Sequence, residues 1–235
     1  MRIAVLAPVL GLLALFAGCG DSAEEAEVTG ARRFLALGDS YTIGESVAPA
    51  DRWPVQLAGM LRAESFDIAT PEIIARTGWT TSDLARAIRS EKPEGPYALV
   101  SLLIGVNDQF RGGSQEDYRI EFRELLAAAI ALAGGEPGRV LVLSIPDWGV
   151  TPYAAGRSAA SIAREIDAFN AINREEAAAR DVAYIDVTPI SRGAARDRSL
   201  IAADGLHPSA SMYRAWSGLA LPAARAALAV AENNP

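Results

Sequence analysis

Three residues of this chain have the types and spacing that acyl transfer requires. Ser40 directly follows Gly38-Asp39, and His207 lies three residues after Asp204. A serine hydroxyl is a weak nucleophile at neutral pH, so it needs a base within hydrogen-bond reach, and an imidazole suits that task. The base in turn needs a carboxylate to orient it, which predicts Asp204 as its partner. His207 is the only histidine in the chain, so any histidine-dependent mechanism must use it.

Acyl transfer also needs hydrogen-bond donors for the oxygen that becomes negative in the intermediate. The candidates for this oxyanion hole are the backbone N–H groups of Ser40 and Gly78 and the side-chain amide of Asn107. Each candidate has a simpler structural alternative when it is considered alone. Ser40 could cap a helix, Gly78 could form a turn, and Asn107 could close an Asx turn. The functional interpretation depends on all of them meeting at one place.

Aromatic side chains near these segments are candidates for a substrate pocket. They are Trp79, Phe110, Trp148 and Tyr153, all on predicted loops. We expect them to line an acyl or leaving-group pocket, with packing of the loops onto the sheet as the alternative. Two acids, Asp39 and Asp108, flank the site, and we expect them to hold the loops by hydrogen bonds without acting in catalysis. Trp53 and Trp216 fall on predicted helices and are expected in the core.

Apolar runs alternate with helix-forming segments along the chain. The predicted strands are residues 33–37, 72–75, 97–104, 140–145 and 182–185. The predicted helices are residues 52–63, 80–90, 114–133, 159–180 and 209–231, and Pro222 is expected to kink or split the last of them. This alternation predicts a parallel sheet covered by helices on both faces. Ligands of such sheets bind beyond the carboxyl ends of the strands, where the candidate residues fall.

Taken together, the motifs resemble those of the SGNH hydrolases, also called GDSL esterases and lipases. The matching segments are Gly38-Asp39-Ser40, Gly78, Gly105-Val106-Asn107-Asp108 and Asp204-Gly205-Leu206-His207, and the resemblance spans about residues 33–228. It implies an α/β fold, a three-layer α/β/α flavodoxin-like sandwich with a five-stranded parallel sheet of order 2-1-3-4-5. It also implies ester hydrolysis without a cofactor. Tyr41 departs from the leucine that the family name expects, and we expect it to tune the pocket more than the chemistry.

The N-terminal residues predict export. Residues 1–18 hold one arginine and a long apolar run that ends in small residues, which is typical of a secretory signal peptide. The run resembles a bacterial lipoprotein signal, which would make Cys19 a lipidated N-terminus, although Phe16 replaces the usual leucine or valine. An uncleaved anchor, or ordinary cleavage beside an unmodified cysteine, is the alternative. Residues 19–31 are predicted to be an acidic, flexible tether, and residues 32–235 the hydrolase domain.

Composition argues against several other classes of protein. The net charge is −7 and no basic cluster is present, which argues against a nucleic-acid partner. One histidine and one cysteine leave no metal site of known spacing. The chain has no Gly-x-Ser-x-Gly motif, which disfavours an ordinary α/β-hydrolase.

We therefore expect a serine esterase that needs no metal or cofactor and hydrolyses carboxylic esters through an acyl-enzyme on Ser40. The lipoprotein signal predicts that it is exported and anchored through Cys19 at the periplasmic face of a membrane or at the cell surface. Short-chain acyl esters, acetylated sugars and lysophospholipids all remain open as substrates. The alternatives are a transacylase with the same site and a non-catalytic lipoprotein that binds a glycan or a lipid.

Overall fold

The computed structural model of this protein describes residues 31–232. The predicted signal peptide, Cys19 and all but the last residue of the predicted tether lie outside the described residues. No helix within residues 31–232 combines the length and the hydropathy that crossing a membrane requires.

A five-stranded sheet with only parallel pairings forms the centre of the fold. Its strands are β1 (Phe34–Gly38), β2 (Glu72–Ala75), β3 (Leu99–Leu103), β4 (Val140–Leu143) and β5 (Ala183–Ile185). Their spatial order is β2-β1-β3-β4-β5, which confirms the predicted fold class and strand order. Every residue of β1, β3 and β4 is buried, because helices cover both faces of the sheet and leave no strand face for polar residues.

The register of the sheet brings the carboxyl ends of three strands level with one another. Gly38, the last residue of β1, pairs with Ala75 on β2 and with Leu103 on β3, and both partners are also the last residues of their strands. The segments that follow these three strands therefore begin side by side. They carry Ser40, Gly78 and Asn107, which explains how residues distant in sequence reach one edge of the sheet.

Eight helices connect and cover the strands within the described residues. They are α1 (Ser40–Ile43), α2 (Trp53–Ala63), α3 (Thr81–Glu91), α4 (Val106–Phe110), α5 (Gln115–Leu132), α6 (Ala159–Ala178), α7 (Thr188–Arg192) and α8 (Ala210–Glu232). Helices α2 and α8 pack together, while α5 packs against both α3 and α6. Trp53 on α2 and Trp216 on α8 are fully buried, which confirms their predicted place in the core.

Two helix starts follow the capping residues read from the sequence. Thr80 Oγ1 accepts a hydrogen bond from the backbone N–H of Asp83, and the Asp83 carboxylate accepts one from the backbone N–H of Thr80, forming the predicted capping box of α3. Ser114 caps α5 by one such bond, because its side chain accepts from the N–H of Asp117 at 3.1 Å. These caps hold the amino-terminal ends of helices that flank the candidate site.

One part of the expectation for the last helix is wrong. Helix α8 runs through Pro222 as one helix, so the predicted split does not occur, while the alternative of a kink stays a prediction. A proline within a helix removes one backbone hydrogen bond. Ala220 and Ala224 are nevertheless fully buried on either side of it, and α8 packs along α2. This continuous packing outweighs the local cost.

Candidate active site

The candidate nucleophile lies in a tight turn between β1 and α1. Ser40 is the first residue of α1, so its backbone N–H has no acceptor within that helix and is available to an oxyanion. Asp39 caps the helix, because its Oδ1 accepts from the backbone N–H of Tyr41 at 3.0 Å. A Cβ on Gly38 would lie 2.4 Å from the carbonyl oxygen of Leu103, so only glycine fits beneath the turn.

The second carboxyl oxygen of Asp39 has an unusual environment. Oδ2 is buried and has no hydrogen-bond partner among the described residues. Burial raises the pKa of Asp39 to about 8, against an ordinary value of 3.8, so the carboxyl is neutral at pH 7. Asp39 therefore holds the turn by a hydrogen bond, as predicted from the sequence.

This buried carboxyl should make stability depend on pH. The pKa of this carboxyl is 3.8 in the unfolded chain and about 8 when folded. Its contribution to the free energy of unfolding is therefore fully present below about pH 4 and is lost as pH rises through about 8. Asp39→Asn removes the titration and keeps an oxygen that can cap Tyr41. Between about pH 5 and 8, we expect the free energy of unfolding of the variant to rise relative to that of the wild type. Urea denaturation followed by tryptophan fluorescence measures both, and parallel pH profiles would contradict the prediction.

The candidate base and its acid form one compact turn. His207 Nδ1 lies 2.6 Å from Asp204 Oδ2. The other carboxylate oxygen, Oδ1, accepts from the backbone N–H groups of Leu206 at 2.9 Å and His207 at 3.0 Å. Ser46, which lies 158 residues away in sequence, donates its hydroxyl to Asp204 Oδ2 at 2.7 Å. The acid is thus fixed on both oxygens.

Four hydrogen bonds determine the charge state of Asp204. Burial alone would raise the pKa of this carboxyl, but the bonds from the Ser46 hydroxyl, the His207 ring and two backbone N–H groups outweigh burial and hold the pKa well below its usual range. Asp204 is therefore ionised wherever His207 could act as a base. Since Asp204 accepts a hydrogen bond from Nδ1–H, the ring proton stays on Nδ1 and the Nε2 atom of His207 is left to accept a proton.

The two other oxyanion candidates lie on neighbouring loops that are tied together. Gly78 has a φ of +83°, a conformation that favours glycine, and its carbonyl oxygen accepts from Arg111 Nη2 at 2.7 Å. Asn107 Nδ2 donates to the carbonyl oxygen of Trp79 at 2.9 Å. An amide carries two N–H groups, so the second remains for an oxyanion. Asp108 accepts from the Thr81 hydroxyl at 2.7 Å, in line with its predicted structural role.

One cleft brings most of the predicted site residues together. Its volume is about 190 Å³ and it is lined by Ser40, Tyr41, Thr77, Gly78, Val106, Asn107, Phe110, Trp148, Tyr153, Leu206 and His207. Ser40 and His207 both line it and are largely buried. No hydrogen bond joins Ser40 Oγ to His207 within the described residues, and such catalytic bonds often tighten only when substrate is bound. The nucleophile, base and oxyanion candidates all face the same space.

A family model supports the same interpretation. The model described as the GDSL-like lipase/acylhydrolase family matches residues 36–215. The chain belongs to this family. That range includes every candidate side chain of the cleft, from Ser40 to His207. No curated protein sequence matches the chain.

Solved structures share the fold of this GDSL-like hydrolase. TesA is 23% identical with a TM-score of 0.63, and the match covers 84% of this chain and 100% of that one. A lipase/acylhydrolase from Enterococcus faecalis is 22% identical with a TM-score of 0.60, covering 81% and 94%. A mutant of Axe2, an acetyl-xylooligosaccharide esterase from Geobacillus stearothermophilus, is 17% identical with a TM-score of 0.60, covering 82% and 94%. At these identities the likeness shows the fold alone.

Three of the four aromatic residues predicted to line the cleft of this GDSL-like hydrolase do so, and Trp79 does not. Phe110, Trp148 and Tyr153 form a mutual cluster, with ring centroids 5.4 to 6.4 Å apart. Arg157 stacks over two of these rings, 4.8 Å from the centroid of Phe110 and 5.2 Å from that of Trp148. Trp79 does not line the cleft. Its ring packs against the core, and its backbone carbonyl instead supports Asn107.

Several residues that shape the site of this family member carry no recognisable sequence signal. Trp148 Nε1 donates to Gln109 Oε1 at 2.9 Å, and Gln109 Nε2 donates to Glu165 at 2.6 Å, which fixes the indole on the cleft wall. The ring of Tyr41 packs edge-on against the His207 imidazole at 5.6 Å. The residue in place of the expected leucine thus supports the base as well as lining the cleft. Sequence position alone predicts none of these long-range contacts.

Metal-binding chemistry has no candidate in the described part of the chain. Within residues 31–232, no group of three or more histidine, cysteine, aspartate or glutamate side chains is arranged to hold a metal ion.

Proposed function

We propose that this member of the GDSL-like family is a serine esterase that hydrolyses carboxylic esters through an acyl-enzyme on Ser40. One observation carries the proposal. Ser40, His207 and the donors at Gly78 and Asn107 all line a single cleft, and Asp204 lies 2.6 Å behind His207 at Nδ1. Nucleophile, base, orienting acid and oxyanion donors are the complete set of groups that acyl transfer requires.

The reaction follows from the roles of these groups. Ser40 Oγ attacks the ester carbonyl carbon while its proton passes to Nε2 of His207, and the carbonyl oxygen becomes an oxyanion bound by Ser40 N–H, Gly78 N–H and Asn107 Nδ2. The intermediate collapses as the bond to the leaving oxygen breaks, and His207 returns its proton to release an alcohol. Water then attacks the acyl-enzyme by the same steps, which yields a carboxylic acid and restores Ser40.

The dimensions of the cleft favour short acyl chains. Its volume of about 190 Å³ is below the range of roughly 300–1,000 Å³ that is usual for small-molecule pockets. Val106 and Leu206 make part of its wall apolar, and the indole of Trp148 is buried against it. An acetyl or butyryl group fits this space better than a lipid tail does. Acetylated oligosaccharides enter the test because Axe2, which shares the fold, is named as an acetyl-xylooligosaccharide esterase.

An acyl-chain series tests this proposal. We expect kcat/KM of the purified protein to be highest for acetyl or butyryl nitrophenyl esters and at least about tenfold lower for octanoyl and dodecanoyl esters. Trp148→Ala opens the cleft wall and should move the optimum to longer chains. A profile that rises up to dodecanoyl contradicts the short-chain assignment. If no ester is hydrolysed and Ser40 does not react with a fluorophosphonate probe, a binding protein is the better interpretation.

Products of the same assay separate hydrolysis from acyl transfer to another acceptor. With an added alcohol or sugar acceptor, a hydrolase yields mostly free carboxylic acid. An ester of the acceptor as the main product would instead identify a transacylase with the same acyl-enzyme. Acetylated xylo-oligosaccharides and lysophospholipids assayed beside the nitrophenyl esters test two of the open substrate classes.

We also propose that the protein is exported and anchored at the cell envelope through a lipid on Cys19. The apolar run of residues 1–18 and the small residues before Cys19 support this proposal. Cells expressing the full chain and fed an alkyne-labelled fatty acid should label the protein, and Cys19→Ser should abolish the label. Equal labelling of wild type and variant would contradict lipidation at Cys19.

A further inference from the structure

Ser46 lies on a short loop that follows the nucleophile helix. Its φ is +65°, a conformation that a serine rarely adopts unless its surroundings impose it. The loop is held on its amino-terminal side, since the backbone N–H of Glu45 donates to the carbonyl oxygen of Ser40 at 3.0 Å. On its carboxyl side, Val47 N–H donates to the carbonyl oxygen of Gly44 at 3.3 Å. These hydrogen bonds fix the position of the loop relative to Ser40.

The Ser46 hydroxyl reaches the acid of the candidate site. It donates to Asp204 Oδ2 at 2.7 Å, and the same oxygen lies 2.6 Å from His207 Nδ1. Among the described residues, the other hydrogen bonds to this carboxylate come from its own turn, from Leu206 N–H, His207 N–H and the His207 ring. Ser46 is thus the side chain that links the acid to the segment that carries Ser40.

We propose that Ser46 is a positioning residue for the reaction, which orients the Asp204 carboxylate toward His207 and couples it to the Ser40 turn. This inference rests on the proposed function. The adjacent Glu45 adds to the argument, because its carboxylate accepts a hydrogen bond from the Thr77 hydroxyl, next to Gly78. One loop thereby contacts the nucleophile helix, the oxyanion loop and the acid.

The hydroxyl also disperses the negative charge of Asp204. An oxygen that accepts one donor fewer interacts more strongly with a positive imidazolium. Loss of the Ser46 hydroxyl should therefore stabilise protonated His207 and move the acid limb of activity to higher pH. Among the described residues, the other titratable or charged groups near this pair include Asp39, Tyr41, Glu45, Asp147 with its ion-pair partner Arg192, and Tyr213. None of them is altered by a substitution at position 46.

Ser46→Ala tests the proposal in the full chain. We expect kcat for a short-chain ester to fall about tenfold, the effect of losing one hydrogen bond to a charged group, with KM changed by less than about twofold. The acid limb of kcat/KM should move to higher pH. Ser46→Asn tolerates the positive φ and offers an amide N–H donor, so it should recover part of kcat and shift the acid limb back toward the wild-type position. Ser199→Ala is the matched control, because it removes an exposed hydroxyl bonded to Asp197 at 2.6 Å, and it should leave both quantities unchanged.

Ser46→Gly separates the effect of losing the hydroxyl from the effect of the strained backbone. Glycine relieves the positive φ but also lacks the hydroxyl, so the proposal requires it to lose activity as Ser46→Ala does. Wild-type kcat and an unmoved acid limb in Ser46→Ala or Ser46→Gly would overturn the positioning role.

Failure of the proposed function has a different signature. In that case the wild type hydrolyses no ester, or the activity persists in Ser40→Ala. If no ester is turned over, the pH dependence of fluorophosphonate labelling of Ser40 supplies the same comparison between the wild type and the Ser46 variants. Equal labelling rates across pH would again overturn the role of Ser46.

Discussion

Ser40→Ala should lower kcat/KM for an acetyl ester by about 10⁴- to 10⁶-fold, the range found when a serine nucleophile is removed from an acyl-transfer site. The variant loses the atom that the proposed mechanism acylates but keeps the backbone N–H at position 40. Alanine also suits the first turn of α1. The oxyanion donors and the cleft should therefore persist, and a small residual rate should remain. Steady-state kinetics with an acetyl ester, together with loss of fluorophosphonate labelling, measure the effect.

Ser101→Ala is the matched control for this substitution. Ser101 is a fully buried serine on β3 whose hydroxyl has no hydrogen-bond partner among the described residues. Its removal should leave both activity and labelling at the wild-type level. If Ser40→Ala kept more than about one hundredth of the wild-type rate, another nucleophile would have to carry the reaction. The cleft would then need a different chemical interpretation.

Asp204→Asn should give the second largest loss, about 10³- to 10⁴-fold in kcat. The amide has nearly the same shape as the carboxylate, and its oxygen can still accept the backbone N–H groups of Leu206 and His207. Its NH₂ group, however, now faces His207 Nδ1 and cannot accept a hydrogen bond from Nδ1–H. The imidazole would then carry its proton on Nε2, where it cannot deprotonate Ser40. Steady-state kinetics should show the loss in kcat with little change in KM.

Asp197→Asn controls for the loss of a carboxylate. Asp197 is an exposed aspartate bonded to the Ser199 backbone and hydroxyl, outside the residues that line the cleft. We expect this variant to retain wild-type kcat. A loss of less than about tenfold in Asp204→Asn would mean that a group other than Asp204 orients His207.

Most of the fold follows from patterns that are local in sequence. The strands are apolar runs that end at glycine or polar residues, and the capping pairs Thr80–Asp83 and Ser114–Asp117 mark two helix starts. Helix α8 shows where local rules fail. Pro222 predicts a kink or a split, and the split does not occur because α8 packs along α2; packing partners are not visible in the sequence around the proline.

The candidate site likewise has residues that could be predicted from local patterns and residues that could not. Ser40, Asn107 and His207 could be predicted because each lies in a short motif after a strand or before a helix, and the topology of a parallel sheet brings such positions together. Ser46 and Gln109 could not, because their partners lie far away in sequence and a lone serine or glutamine has many ordinary uses. The loop position of Trp79 predicts a place in the cleft, but it does not reveal the direction of the side chain, and the ring packs against the core.

The hydrogen bond from Asn107 to the Trp79 carbonyl couples the two loops that carry the proposed oxyanion donors Asn107 and Gly78. A change at Asn107 removes one donor and also releases the loop that presents Gly78 N–H. Substitutions at the two positions should therefore be epistatic, with a double variant little worse than the more damaging single one. In a diverging lineage, these two loops would have to change together to keep a working oxyanion hole.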